Sequence, residues 1–183
     1  MVGRGDVVTG ADRDRLDQAA LVRARQVAAS APDPELPMLT VGDLGILREV
    51  TVGCGRVVVS LTPTYSGCPA MREIQQDVSG RLTAAGFADI EVRMVLSPAW
   101  STDWITAEGR RKLAAAGIAP PAAAPRRAAG PVPLTLSPSL IAVACPACGS
   151  ANTQRTAAFS GTACKDLHRC LACAEPFEHV KEI

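Results

Sequence analysis

Apolar residues recur at three- and four-residue intervals over residues 12–30, with Leu16, Ala20, Ala24 and Val27 on one side, and this spacing predicts a helix. The stretch Ala31-Pro-Asp-Pro-Glu-Leu-Pro37 ends it, because each proline restricts the residue before it. A glycine-punctuated turn, Leu39 to Leu47, then leads into a strand near 46–52. Gly53-Cys54-Gly55 returns the chain into the β-branched run Arg56 to Thr62, ended by Pro63, so the two runs read as a β-hairpin. The loop Thr64 to Cys68 opens a second helix expected to begin at Pro69, the favoured first helical position. Met71, Ile74, Val78 and Leu82 form its apolar stripe, and Gly86 stops it. Ile90, Val92, Met94 and Leu96 are spaced by two, predicting a half-buried strand over 88–96. Ser101 or Thr102 is expected to cap a last helix over 103–116, closed by Gly117. The pattern is an α+β fold, a small three-stranded sheet packed with helices, with a right-handed crossover joining two parallel strands.

Beyond residue 117 the texture changes. Pro120, Pro121, Pro125, Pro131, Pro133 and Pro138 lie among alanines, which predicts a semi-extended linker over 118–140 between a domain at 12–117 and a C-terminal unit at 141–183. That unit carries Cys145-Pro-Ala-Cys148 and Cys170-Leu-Ala-Cys173, two CxxC pairs 21 residues apart. Each pair places two thiolates on a tight knuckle, and two facing knuckles close a tetrahedral shell of the kind that holds structural zinc. The C-terminal unit therefore reads as a four-cysteine zinc ribbon with Zn²⁺ in a structural role. Four thiolates accept iron as well.

Composition narrows the function. Formal net charge is +1 and only 3% of residues are aromatic, so neither a cationic field nor a stacking platform for nucleic acid is present. From Cys145 to Ile183 four Lys/Arg balance four Asp/Glu, which argues against a nucleic-acid-binding ribbon. No apolar run approaches a bilayer span, and the N-terminus has no apolar signal region. A cytoplasmic protein in a reducing compartment is the expectation, where paired CxxC motifs bind metal rather than form disulfides. No Glu-x-x-His pair offers a di-iron site, and no G-x-G-x-x-G or Walker loop cradles a nucleotide.

Of the remaining cysteines, Cys68 stands where strand and loop hand over to a helix. Backbone N–H groups at a helix start favour negative charge, so its thiol is expected to ionise more readily than usual. It reads as a nucleophile, as a soft ligand for iron, zinc or an iron–sulfur cluster, or as a small side chain filling the turn. Spacing offers it no second ligand. Cys164, a fifth sulfur inside the ribbon, reads as an auxiliary thiol that relays a metal or replaces a knuckle ligand, or as a passive core residue. His168 is a competing ligand that two clean knuckles make unnecessary, and Cys54 reads as incidental.

Three motifs in order, Asp33-Pro-Glu35, Asp43-Leu-Gly-Ile46 and Leu61-Thr-Pro-Thr64 followed by Gly67-Cys-Pro69, resemble the iron–sulfur assembly family that includes SufT-like and cytosolic Fe–S targeting proteins. Joined to a tail reading Cys145-Pro-Ala-Cys148, Phe159-Ser-Gly-Thr-Ala-Cys164-Lys165 and Cys170-Leu-Ala-Cys173-Ala-Glu-Pro-Phe177, the chain is similar to the PaaD (PaaJ) family. That family supplies the small subunit of the ring 1,2-phenylacetyl-CoA epoxidase system of aerobic phenylacetate degradation. The resemblance implies an accessory subunit with no catalysis of its own. Its partners would be a di-iron oxygenase and a flavin and iron–sulfur reductase, whose iron or iron–sulfur centres it helps to mature. Carried over residue by residue, it marks Cys68 as the cluster-handling thiol and Asp33, Glu35 and Asp43 as cofactor-binding positions, with a transient Fe or Fe–S cargo. Turn and cap chemistry is the competing role for the three carboxylates. A thiol-dependent enzyme using Cys68 as nucleophile is the other functional reading, and self-association is left open.

Overall fold

A computed structural model describes residues 10–65, 67–124 and 142–183, and within it the N-terminal part is an α+β layer. Helix α1 spans Gly10–Ala29. Strand β1 (Leu47–Gly53) pairs antiparallel with β2 (Arg56–Leu61), and β2 pairs in parallel with β3 (Asp89–Met94) across helix α2 (Met71–Ala84). The sheet order is β1-β2-β3. Both α1 and α2 pack on one face, where Val50, Val57, Val59, Leu61, Ile74, Val78 and Leu82 form a buried core. The other face carries charge, with Arg56 bonded to Glu91 at 2.6 Å and Arg93 bonded to the Ser60 hydroxyl at 3.0 Å.

Four details depart from the hydrophobic pattern. On α1 the buried side runs through Ala24 and Ala28, whereas Leu16 is 63% exposed because only the C-terminal half of the helix meets the sheet and α2. The third strand ends at Met94, and Leu96 is exposed because the partner strand has already stopped at Leu61. Helix α2 begins at Met71 rather than Pro69, with Ala70 as its cap residue. The last helix is two pieces. A 3₁₀ turn at Thr102–Trp104 is capped by the Ser101 hydroxyl, and α3 (Ala107–Ala115) is capped by the Thr106 hydroxyl, which accepts from Gly109 N at 2.9 Å. Thr106 is an ordinary N-cap residue, and the extended backbone at Ile105 and Thr106 separates the two.

The hairpin between β1 and β2 has a two-residue loop, Cys54-Gly55, in which both residues have positive φ, 51° and 80°. That is the geometry of a type I′ turn, which favours Asn-Gly. Cys54→Asn should stabilise the protein by about 0.5–1 kcal/mol by relieving a left-handed non-glycine residue. A denaturation midpoint unchanged or lowered would refute this.

The C-terminal part is a four-stranded sheet in the order β4-β7-β6-β5, made of β4 (Ile118–Ala119), β5 (Thr153–Ala157), β6 (Lys165–Cys170) and β7 (Pro176–Val180). Strand β4 directly follows α3, at the start of the segment that the prolines mark as linker, and pairs in parallel with β7. The ribbon is thereby stitched to the first domain. Thr102 N donates to Ile183 O at 3.1 Å, Ala122 N to Glu182 Oε1 at 3.0 Å, and Val180 lies within the main core. Arg110 also bridges, donating to Thr102 O at 2.7 Å and to Pro121 O. Among the described residues no helix is long and apolar enough to cross a membrane.

Candidate functional site

Two cysteine sites emerge, one closed and one open. In the ribbon, Cys145, Cys148, Cys170 and Cys173 bring their sulfurs within 4.8 Å of one another. Cys145 Sγ lies 3.8 Å from Cys173 Sγ, and Cys148 Sγ lies 3.6 Å from Cys170 Sγ. A regular tetrahedron with a metal–sulfur distance near 2.3 Å has edges of about 3.8 Å, so the four sulfurs fit one tetrahedral ion. The knuckles repeat each other: Gly149 and Ala174, each following the second cysteine of its pair, have φ of 74° and 66°. Backbone N–H groups aim at the sulfurs, Cys173 N reaching Cys170 Sγ at 3.5 Å. That contact pulls the Cys170 thiol down to about 6. The closed shell leaves no position for a substrate, as in structural sites.

The second site lies where the ribbon meets the first domain. A cavity of about 30 Å³ is lined by Asp33, Glu35, Cys68 and Cys164, with apolar walls that include Ile74, Trp100 and Val180. Three segments far apart in sequence meet here. The Asp33-Pro-Glu35 turn supplies two carboxylates, and the turn before α2 supplies Cys68. The connection between β5 and β6 reaches across from the ribbon with Cys164. Asp33 Oδ1 accepts from the backbone N–H of Glu35 and of Leu36, both at 2.8 Å, so this carboxylate builds the turn that presents Glu35. Glu35's own carboxylate takes no hydrogen bond among the described residues. Cys164 Sγ lies 3.1 Å from the Thr162 hydroxyl. Trp100, held by its Nε1–H on Leu44 O at 2.9 Å, is a wall residue that no motif announces.

Asp43 does not line this cavity. Its Oδ2 accepts from Thr40 N and Oγ1 and from Lys112 Nζ at 2.7 Å, tying the Thr40 to Gly45 turn to α3. Burial raises its carboxyl, but Lys112 and Thr40 outweigh burial and hold it below the usual range. The motif around it is scaffold. Gly45, with φ of 67°, sits so close to Trp104 that a Cβ would fall 2.4 Å from its carbonyl oxygen.

The expectation of an easily ionised Cys68 is overturned. Burial pushes its thiol above the usual range, and the charges of Glu35, Asp33 and Cys164 push the same way, while the Ala70 N–H only partly offsets them. The helix begins three residues after Cys68, and the N–H of its cap residue Ala70 is too little to offset burial. Burial and Glu35 raise Cys164 similarly. Thiolate is therefore scarcer at Cys68 in the folded protein than in the unfolded chain. Iodoacetamide labelling of Cys68 should be slow at neutral pH, rise only at alkaline pH, and quicken when denaturant is added. A labelling midpoint at or below that of a free thiol contradicts this.

Neither histidine joins either cysteine site. His168 Nε2 and His179 Nδ1 both approach Asp166 Oδ1, at 3.1 and 2.9 Å, and His179 Nε2 faces Glu182 Oε1 at 3.2 Å. This buried network links β6, β7 and the C-terminal segment, and His168 stacks on Phe177.

Known proteins share both halves. A family model described as iron-sulfur cluster assembly protein matches residues 26–94, and one described as PaaD zinc beta ribbon domain matches residues 130–181. Over 150 residues the chain is 43% identical to a protein of Escherichia coli (strain K12) that is provisionally named as one of the subunits of 1,2-phenylacetyl-CoA epoxidase, covering 82% of this chain and 86% of that one. This chain belongs to the PaaD family. It is also 34% identical over 83 residues to the Fe-S protein maturation auxiliary factor of Porphyromonas gingivalis (strain ATCC BAA-308 / W83), spanning 44% of this chain and 78% of that protein. A crystal structure of a domain of unknown function, DUF59, from Bacillus anthracis superimposes with a TM-score of 0.51 at 26% identity, over 55% of this chain and 96% of that one. Relative to such a single domain, this chain adds the ribbon, and with it Cys164. It thus joins an iron–sulfur assembly domain to a metal-binding ribbon.

Proposed function

We propose that this PaaD-family chain is an accessory subunit of a phenylacetyl-CoA 1,2-epoxidase system that helps install iron or iron–sulfur centres in its partners. The partners in this reading are a di-iron oxygenase and its reductase, met in the cytoplasm. The four-cysteine ion is zinc and structural. Cys68 is the thiol that meets the cargo, with Glu35 beside it and Asp33 shaping the turn. One observation carries the reading: the family's cysteine and its Asp-Pro-Glu turn, 33 residues apart in sequence, converge on one small cavity.

Covalent thiol catalysis fits less well. The raised Cys68 thiol is a poor nucleophile at neutral pH, and neither histidine lies at the cavity to serve as its base. The deciding experiment is carried out in cells. Cys68→Ser should leave the subunit folded and the partner proteins at normal abundance, while phenylacetyl-CoA epoxidation and the iron content of the purified partners fall. Normal activity and iron content would remove Cys68 from the mechanism.

A further inference from the structure

The ribbon is more than a folded tail, because it closes the Cys68 cavity and contributes a sulfur to it. We infer that Cys68 and Cys164, with the Glu35 carboxylate, form an exchangeable site for a single soft or borderline divalent ion, assembled across the junction between the assembly domain and the ribbon. This deepens the proposed function and rests on it for the identity of the cargo.

Four observations converge. First, Cys68 and Cys164 line one cavity although 96 residues separate them, and both are half-buried rather than sealed. Two thiolates and a carboxylate suit zinc or ferrous iron far better than magnesium or calcium, which prefer oxygen alone.

Second, the cavity has room for the cargo. About 30 Å³ is enough for an ion or a water or two.

Third, the nearby cations are engaged elsewhere. Lys165 Nζ is bound by Glu178 at 2.7 Å, and Lys181 Nζ donates to Ala158 O at 3.0 Å over the Phe159 ring. Asp33 Oδ1 is taken up by its turn, whereas the Glu35 carboxylate takes no hydrogen bond among the described residues and is available as an oxygen ligand.

Fourth, the geometry is open. Unlike the four ribbon sulfurs, Cys68, Cys164 and Glu35 do not gather their ligand atoms within 4.8 Å. Their ligand atoms would have to draw together to grip an ion, whereas the four ribbon sulfurs are already gathered. Binding releases one proton from each thiol to solvent as two metal–sulfur bonds form, and no electrons move.

The test uses the full chain with its ribbon ion in place. Cobalt(II) added without oxygen should occupy one further site, seen as new sulfur-to-cobalt charge-transfer absorption, with no acid-labile sulfide. Cys68→Ser and Cys164→Ser should each weaken that second site by more than about 100-fold, beyond the usual cost of losing an outer-shell partner. Cys54→Ser should leave it unchanged, and every variant should keep the ribbon ion. A measurement needing no substitution accompanies these: bound cobalt should protect Cys68 and Cys164 together from alkylation, read by mass spectrometry. Three results would overturn the inference: wild type taking up no second ion, Cys164→Ser retaining full affinity, or sulfide accompanying the second metal. None of them decides the proposed function, which is read separately from partner iron content in Cys68→Ser cells.

Discussion

Stripping the ribbon of its ion, by chelation or by Cys170→Ser, is expected to unfold the C-terminal sheet as a unit. The apolar support there is slight: Ala119, Val143, Cys145, Cys170 and Phe177 make up its separate core, and two of the five are ligands. Structural zinc contributes apparent binding energies of roughly 10–16 kcal/mol in small metal-folded domains, far more than five side chains of that size supply. The first domain keeps its own larger core, so thermal unfolding should split into two transitions. It will not be untouched, because Val180 packs in that core and Ile183 O accepts from Thr102 N. Val180, Lys181 and Ile183 also wall the Cys68 cavity. Alkylation of Cys68 should therefore accelerate when the ion is removed. An unchanged circular dichroism spectrum after complete chelation would refute the expectation.

Gly45→Ala should destabilise the first domain by about 3 kcal/mol or more. The positive φ is one cause, and the other is steric: the added carbon would meet Trp104 at 2.4 Å from its carbonyl oxygen and 2.7 Å from its Cβ. All three nearest atoms belong to Trp104, two of them to its backbone, so no side-chain rotation relieves the clash. A loss of that size lowers the melting temperature by roughly 12–15 °C in a domain of about 100 residues. Gly86→Ala is the comparison. Gly86 also has positive φ, but open space surrounds it, so only the conformational part of the cost should appear. Equal effects of the two substitutions would show that the contact with Trp104 is unimportant.

Much of this molecule is legible from its hydrophobic pattern. The Met71, Ile74, Val78, Leu82 stripe is buried as a face of α2, and the crossover it implies joins parallel strands. The paired cysteines announce the ribbon because metal geometry ties ligand spacing directly to chain spacing. What escapes depends on long-range packing. Leu16 has the right periodicity for burial, but nothing in the chain indicates that the sheet ends before it. The ionisation of Cys68 escapes for the same reason. A local argument from helix position omits the Glu35 and Cys164 charges and the burial supplied by distant segments. Asp43 shows the limit of a motif: it lies in a recognisable run, yet its hydrogen bonds go to Thr40 and Lys112. The meeting of Cys68 with Cys164 cannot be read from spacing, since the pairing of β4 with β7 brings them together.

That short parallel pairing has a bearing on engineering. Since Ile118 and Ala119 already sit beside Glu178 and His179, the proline-rich stretch does not determine where the ribbon docks. Changing the number of residues there should cost little, since doubling a flexible connection adds only about 0.6 kcal/mol of closure entropy. A variant with a longer or shorter stretch should therefore keep Ile118 and Ala119 beside Glu178 and His179.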